Sequence, residues 1–343
     1  MMRLSMKEIG SFWHFNDEFF KGKVWLPKSS KLFGSGRDAL RAIVSYGKSQ
    51  GWKRIWIPTY YCHDVTDSIS KDIDVFLYDS VPFDIDKTIT IANDEAIVIV
   101  EYFGLRAGFE ISGGSVILDR THDPYASWCY AREPDYKFAS LRKALPLPDG
   151  GIVWPQLECM FFLEESDTSV FHEDTVEKMT VAMLLKSLYL SGVKIEKSTF
   201  LELARDSEMR VAQGNLISGP SILSRILIPL ADMNMLQDKR LANIAYMDSR
   251  LKDINMKSNI KWIPTPAYGI LLCADIGRRD KLKNYLIQHG IYPAILWPLD
   301  REDIPIQHKI LSDTIIVLHA DARYTLADME YVVDEVLTGI SGA

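Results

Sequence analysis

Cysteine is scarce in this chain, and what there is does not cluster. Cys62, Cys129, Cys159 and Cys273 form no C-x-x-C pair, so neither a zinc site nor a disulfide framework is expected. Free thiols in a reducing cytosol are the plain reading. Long apolar runs are missing too. No stretch reaches the roughly 18 consecutive apolar residues of a membrane-spanning helix. The N-terminal MMRLSMKEIGSFWHF is too polar and aromatic for a signal peptide, so a cytoplasmic protein with no membrane partner is expected. An excess of positive charge is also absent. The formal net charge is −7, which argues against nucleic acid as a partner. Internal repeats and low-complexity segments are absent as well.

What is present suits a globular chain. At 343 residues with 47% hydrophobic content, the core can be large enough to need no metal or disulfide. Residues 1–30 hold Phe12, Trp13, Phe15, Phe19, Phe20 and Trp25, consistent with an arm packed on the main domain or on a partner subunit, or with ordinary core packing. Residues 31–240 are expected to form a large α/β domain. RIWIPTYYC (54–62) reads as a strand followed by a turn, and VFLYD (75–79), AIVIVEYFG (96–104) and SVILD (115–119) follow as further strand segments, linked by helical or irregular segments. Helical periodicity dominates residues 156–255, as in TVEKMTVAMLLKSLYL (175–190). Residues 241–343 read as a smaller α/β domain. It has strands at GILLCADI (269–276) and IIVLHA (315–320), a glycine-ended helix over 279–290, and a final helix from a Thr325 cap.

The chemistry concentrates between Asp119 and Gly151, DRTHDPYASWCYAREPDYKFASLRKALPLPDGG. Asp119 ends an apolar run of the kind that forms a strand buried on both faces. Tyr136–Leu141 reads as the next strand, with Ser140 near its end and Lys143 just past it. In open parallel sheets, ligands collect beyond the carboxyl ends of the strands. An acid there can pair with a protonated ring nitrogen, which is what makes pyridoxal phosphate an electron sink. A partly desolvated lysine beside such a ring can form a Schiff base. Upstream, Gly34-Ser35-Gly36 opens a helix with apolar positions Leu40, Ile43 and Val44, and a helix N-terminus is a natural phosphate site. Tyr60 and Tyr61 fall beyond a strand end, where an aromatic ring can stack on a planar cofactor. Taken singly, each is also an ordinary surface lysine, strand-end acid, helix cap or packed tyrosine. Their joint occurrence in this chain order points to the cofactor.

The motifs GSGRDAL (34–40), IPTYYC (57–62), VEYFG (100–104), VILDRTHD (116–123), SLRKALPLPDGG (140–151), IYPAILWPL (291–299) and DARYTLADME (321–330) together resemble the DegT/DnrJ/StrS sugar aminotransferases. These are fold-type-I pyridoxal-phosphate enzymes. The resemblance covers nearly the whole chain. It implies a large, mostly parallel, seven-stranded-type sheet flanked by helices, plus a smaller C-terminal α/β domain. It implies transfer of an amino group, from glutamate, to a nucleotide-linked keto sugar, in a homodimer with shared active sites. Lys143 would hold pyridoxal 5'-phosphate as a Schiff base and Asp119 would pair with the pyridine nitrogen. His122 would lie near the ring oxygen. Ser35, Gly36, Arg37, Asp38 and Ser140 would bind the phosphate. Tyr60 or Tyr61 would stack, because Cys62 stands about where the family places an aromatic. Asn215, in GNLIS, would correspond to an asparagine offered by the partner subunit. Arg37, Arg120 and Arg142 are candidates to meet the acceptor's diphosphate. Another pyridoxal-phosphate reaction on the same scaffold, or a non-catalytic descendant, are the alternatives. Lys143 counts against the family's sugar dehydratases, where histidine replaces the lysine.

Overall fold

The structure is a computed structural model that describes residues 8–22, 25–27, 29–84, 87–155, 167–214, 216–254 and 259–341. The chain forms two compact units. The larger holds Trp13–Tyr102 and Arg106–Met233; the smaller holds the described residues among 5–12, 103–105 and 234–343. The first strand, β1 (Ile9–Gly10), belongs to the smaller unit.

The larger unit is built on one seven-stranded sheet. In chain order its strands are β2 (Lys31–Phe33), β3 (Arg54–Pro58), β4 (Asp74–Tyr78), β6 (Glu95–Val100), β8 (Ser115–Asp119), β9 (Tyr136–Ser140) and β10 (Gly151–Pro155). Their spatial order is β2-β10-β9-β8-β6-β3-β4. All pairings from β9 to β4 are parallel, while β10 runs antiparallel to both β9 and β2. Every residue of β6 is buried, as a continuous apolar run in a two-sided parallel sheet must be.

Helix α1 (Gly36–Ser49) buries Leu40, Ile43 and Val44 completely against β9 and β10. Gly47 lets Trp52 close on it, since a Cβ there would lie 2.0 Å from the indole. Helix α2 (His63–Ile69) follows β3. Helices α3 (Val170–Leu190) and α4 (Lys197–Gln213) pack along one another, and α5 (Ile222–Leu227) comes next.

Two links depart from the expected helical or irregular connections. Strands β5 (Lys87–Thr90) and β7 (Phe109–Ser112), from the β4–β6 and β6–β8 crossovers, pair in parallel as a separate two-stranded sheet. In both, half-buried and exposed residues alternate, the period two of a strand and not of a helix. Ile89, Phe109 and Ile111 pack on Ile97, Ile99, Val116 and Leu118 of the main sheet.

The smaller unit has an antiparallel sheet of β11 (Ile260–Pro264), β12 (Tyr268–Cys273) and β14 (Ile315–His319), in that spatial order. Two-residue β13 (Ile291–Tyr292) pairs with β1. Helices α6 (Met233–Leu251), α7 (Ile276–Gln288), α8 (Ile306–Thr314) and α9 (Leu326–Ser341) complete it. Its core joins Met247, Trp262, Leu271, Leu282, Ile316, Met329 and Val333. Helix α7 ends just before Gly290, whose φ of 73° suits glycine. Thr325 caps α9 by accepting the Asp328 N–H at 3.3 Å.

Candidate active site

Strands β8 and β9 end side by side, and their ends carry the polar residues. Asp119 is the last residue of β8 and is 4% exposed. Its Oδ1 accepts the Thr121 N–H at 2.8 Å and its Oδ2 accepts the Tyr61 hydroxyl at 2.5 Å. Burial pushes the Asp119 carboxyl up, and the bonds from Thr121 and Tyr61, with the Lys143 charge, work against that rise. Thr121 also ties the two strands together, because its Oγ1 accepts the Ser140 N–H at 3.1 Å. His122 is buried beside them. Burial first, and then the Lys143 charge, pull its pKa down to about 3, so the imidazole is neutral at physiological pH.

Past Ser140 the chain makes a short turn, Leu141–Lys143. Two long-range bonds pin it. The Trp13 indole N–H donates to the Lys143 carbonyl at 3.1 Å, and the Tyr125 hydroxyl donates to the Ala144 carbonyl at 2.9 Å. The Lys143 side chain opens onto solvent but is crowded by protein. That crowding, helped by Arg142, lowers its pKa against the opposing charges of Cys62, Asp119 and Glu208.

The N-terminus of α1 abuts this turn. A Cβ on Gly36 would lie 2.8 Å from the Ser140 Cβ, so glycine lets the first turn of the helix close on the end of β9. The double glycine reinforces this packing. A Cβ on Gly151 would sit 2.1 Å from the Ser35 carbonyl oxygen, and Gly150 has φ 123°. Ser35 caps the helix by accepting the Asp38 N–H at 3.1 Å and donating to Asp38 Oδ2 at 2.7 Å. Ser35 and Asp38 therefore engage each other, and both are buried. The N–H groups of Gly36 and Arg37 lie in the first turn, where a helix supplies no internal acceptor. Arg37 bonds Asp64 through Nη2 at 3.3 Å, while its Nη1 is buried with no hydrogen-bond partner among the described residues.

These residues suit a phosphorylated, aldehyde-bearing ring cofactor. The groups are a crowded lysine, a buried carboxyl, a neutral imidazole, a helix N-terminus and a buried guanidinium nitrogen with no hydrogen-bond partner among the described residues. Pyridoxal phosphate would draw on Lys143, Asp119, His122, Ser140, Gly36 and Arg37.

Several expected residues are engaged by other protein groups. Tyr60 is completely buried, edge-on to Tyr102 at 5.8 Å, and its carbonyl accepts the Tyr102 hydroxyl, so its ring belongs to the core. Tyr61 is nearly buried too, with its hydroxyl committed to Asp119. Arg120 is buried against Glu101 at 3.2 Å and donates to the Ala126 carbonyl at 2.7 Å. Arg142 pairs with Glu208. Asn215 lies outside the described residues. Thr121 and Glu208 were not singled out from the sequence, and Trp13 was read only as one of the arm aromatics. Thr121 had the signal of adjacency to Asp119, whereas the particular partners of Trp13 and Glu208, 130 and 66 residues away, gave none.

No protein-family model matches the sequence, and no curated protein does either. Solved structures do match in fold. The chain is similar to PseC of Helicobacter pylori, an aminotransferase involved in the biosynthesis of pseudoaminic acid. That match has a TM-score of 0.59, 12% identity, and covers 98% of this chain and 100% of that one. It is similar to DesI, solved in the presence of its TDP-sugar product, with a TM-score of 0.58, 13% identity, and coverage of 96% and 87%. It is also similar to Spr1654 of Streptococcus pneumoniae, described as a sugar aminotransferase and solved in its PLP form. The TM-score is 0.57 at 12% identity, with coverage of 97% and 93%. The likeness establishes the architecture: the chain shares the fold of these solved structures over nearly its whole length.

Proposed function

We propose that this chain is a pyridoxal-phosphate-dependent sugar aminotransferase of the DegT/DnrJ/StrS type. It takes the amino group of glutamate and delivers it to a keto sugar carried on a nucleotide. The observation that carries this reading is the meeting of Lys143 and Asp119 at the adjoining ends of β9 and β8. The lysine pKa is lowered there, and the two groups lie close enough to feel each other's charge. The sugar aminotransferases that share the fold support the substrate class.

When bound, pyridoxal phosphate supplies an electron sink for charge that develops on the carbon bearing the amine. The chain's own residues do the rest. Lys143 Nζ would hold the cofactor and would move a proton at the reacting carbon. Its lowered pKa leaves more of the amine neutral at working pH, as both tasks require. Asp119 would hold the ring nitrogen and favour a positive charge there. Tyr61 and Thr121 donate to the Asp119 carboxyl and oppose the rise in its pKa that burial causes. His122, neutral in its buried setting, would flank the ring. Gly36, Arg37 and Ser140 would hold the phosphate.

The protein acts as a homodimer in this reading. Val181, Leu184 and Leu188 form an exposed apolar stripe on α3, at spacings of three and four residues, with Val170 and Phe171 at its start. Leu216, Ile222 and Ile226 are exposed on the following segments. Apolar exposure on this scale suits a surface covered by a second copy.

The test is a half-reaction. Protein loaded with pyridoxal phosphate is mixed with glutamate, and absorbance is followed. Loss of the band near ~420 nm with a gain near ~330 nm, together with release of 2-oxoglutarate, is the expected result. A band that ignores glutamate and other amino acids would sink the amino-transfer reading.

A further inference from the structure

Arg142 and Glu208 form a two-pronged pair beside the candidate lysine. The Arg142 Nη1 donates to Glu208 Oε1, and Nη2 donates to Oε2 at 2.8 Å. Two parallel bonds from one guanidinium to two oxygens of one anion is the geometry by which arginine recognises carboxylates and phosphates. Arg142 directly precedes Lys143 in the turn after β9, whereas Glu208 reaches in from α4.

The two partners differ in burial. The Arg142 side chain is 15% exposed and the Glu208 side chain 45%. The cation is the more buried half and the acid is the half that reaches solvent. The Arg142 Nε is buried with no hydrogen-bond partner among the described residues, so the guanidinium has a donor to spare. Glu208 also sits among cations. Crowding by protein raises its pKa, but Arg142, Lys143 and Arg37 overcome this and hold the carboxyl low. Three positive groups around one acid make a site for negative charge whose present occupant belongs to the chain itself. A partly exposed ion pair contributes little to stability, so a purely structural clasp explains the arrangement poorly.

We propose that Glu208 is the internal occupant of an anion subsite on Arg142. A reactant's two-oxygen anion, carboxylate or phosphate, binds that fork by displacing Glu208 into solvent. The inference rests on the aminotransferase reading only in taking Lys143 as the reacting group. Arg142 is thereby a specificity-determining residue, and Glu208 sets a threshold that uncharged ligands cannot cross. No covalent step is involved.

The experiment is calorimetric titration of the pyridoxal-phosphate-treated protein with two probes, succinate and uridine diphosphate. The wild type, Glu208→Gln and the double variant Arg142→Lys with Glu208→Gln are compared. Removing the competing carboxylate is expected to tighten binding of at least one probe about tenfold, and the double variant is expected to lose that gain. A gain for succinate assigns the subsite to an amino-acid carboxylate, and a gain for uridine diphosphate assigns it to the acceptor's diphosphate. Unchanged or weaker binding by Glu208→Gln overturns the inference, as does a gain that survives in the double variant. If thermal melting shows that Glu208→Gln does not fold, Glu208→Asp replaces it. Aspartate draws the carboxylate back by one methylene and is expected to give a smaller gain in the same direction, and no gain again overturns the inference. The cofactor band is recorded on the same samples. Its absence throughout would sink the aminotransferase reading, whereas a band with unchanged anion affinity would sink only the displacement of Glu208.

Discussion

Burial raises the Asp119 pKa and two neighbours that donate to its carboxyl oppose that rise; Tyr61 makes the shorter of the two bonds, at 2.5 Å. Removing that hydroxyl leaves the burial effect less opposed, so the Asp119 pKa rises further. Tyr61→Phe is expected to weaken pyridoxal-phosphate binding about tenfold, the scale of one hydrogen bond to a charged group. The pH below which binding is lost should move upward with it. A spectroscopic titration of the cofactor at several pH values checks this, and unchanged affinity and pH dependence would refute the role. A second residue-scale prediction concerns Glu101, which is fully buried and pushed up to about 7 by burial against the opposing Arg120. Its folded pKa lies above the unfolded one, so the native state holds a proton that the unfolded chain has released. Stability from this group is full below about pH 4.5 and is lost as pH rises toward about 7. Denaturant melts across that window should show this negative slope in the wild type and its loss in Glu101→Gln. An identical slope in both would count against it. The strand-end positions of Asp119 and Lys143 were legible in the sequence because strand ends announce themselves through apolar runs. The Tyr61 partnership was not, since its hydroxyl meets an acid 58 residues away, and a stacking role read equally well from the same letters.

At the scale of elements, the turn between β9 and β10 is held by Asp149. This buried carboxylate accepts the Ser221 N–H at 2.7 Å, the Ser221 hydroxyl at 2.8 Å, the Ser224 hydroxyl, and His172 Nε2 at 3.0 Å. It thereby fastens α3 and α5 to the turn that supports the N-terminus of α1. Asp149→Ala strands these donors in a buried setting and is expected to cost about 3 kcal/mol or more. The urea midpoint should fall with the slope preserved, and Asp149→Asn should fall between the two. A loss under about 1 kcal/mol would refute the hub. Gly150, with φ 123°, turns the chain into β10. The role of Asp149 was hidden because its partners lie 23 to 75 residues on. The paired strands β5 and β7 were missed for a related reason. Four-residue alternations carry little periodic signal, and only their pairing with each other makes them a sheet.

At the scale of the whole molecule, alternating apolar runs and helical stretches were enough to foresee a mostly parallel α/β sheet. The antiparallel placement of β10 and β2 at one edge was not foreseeable, because register and strand order depend on contacts remote in sequence. The exposed stripe on α3 leads to a prediction at this scale. Sedimentation should report a mass about twice the 39.1 kDa of one chain, and Leu184→Glu with Leu188→Glu should shift it toward the monomer. A wild type that sediments as a monomer at all concentrations would contradict the dimer.

The account turns on Lys143, and one measurement addresses it most directly. The protein is incubated with pyridoxal phosphate, its absorbance near ~420 nm is recorded, and the sample is reduced with borohydride and digested for mass spectrometry. The account predicts the band, and a reduced pyridoxyl-phosphate adduct confined to the peptide that carries Lys143, both absent in Lys143→Ala. No adduct in the wild type, or an adduct on a different lysine that Lys143→Ala leaves untouched, would contradict it.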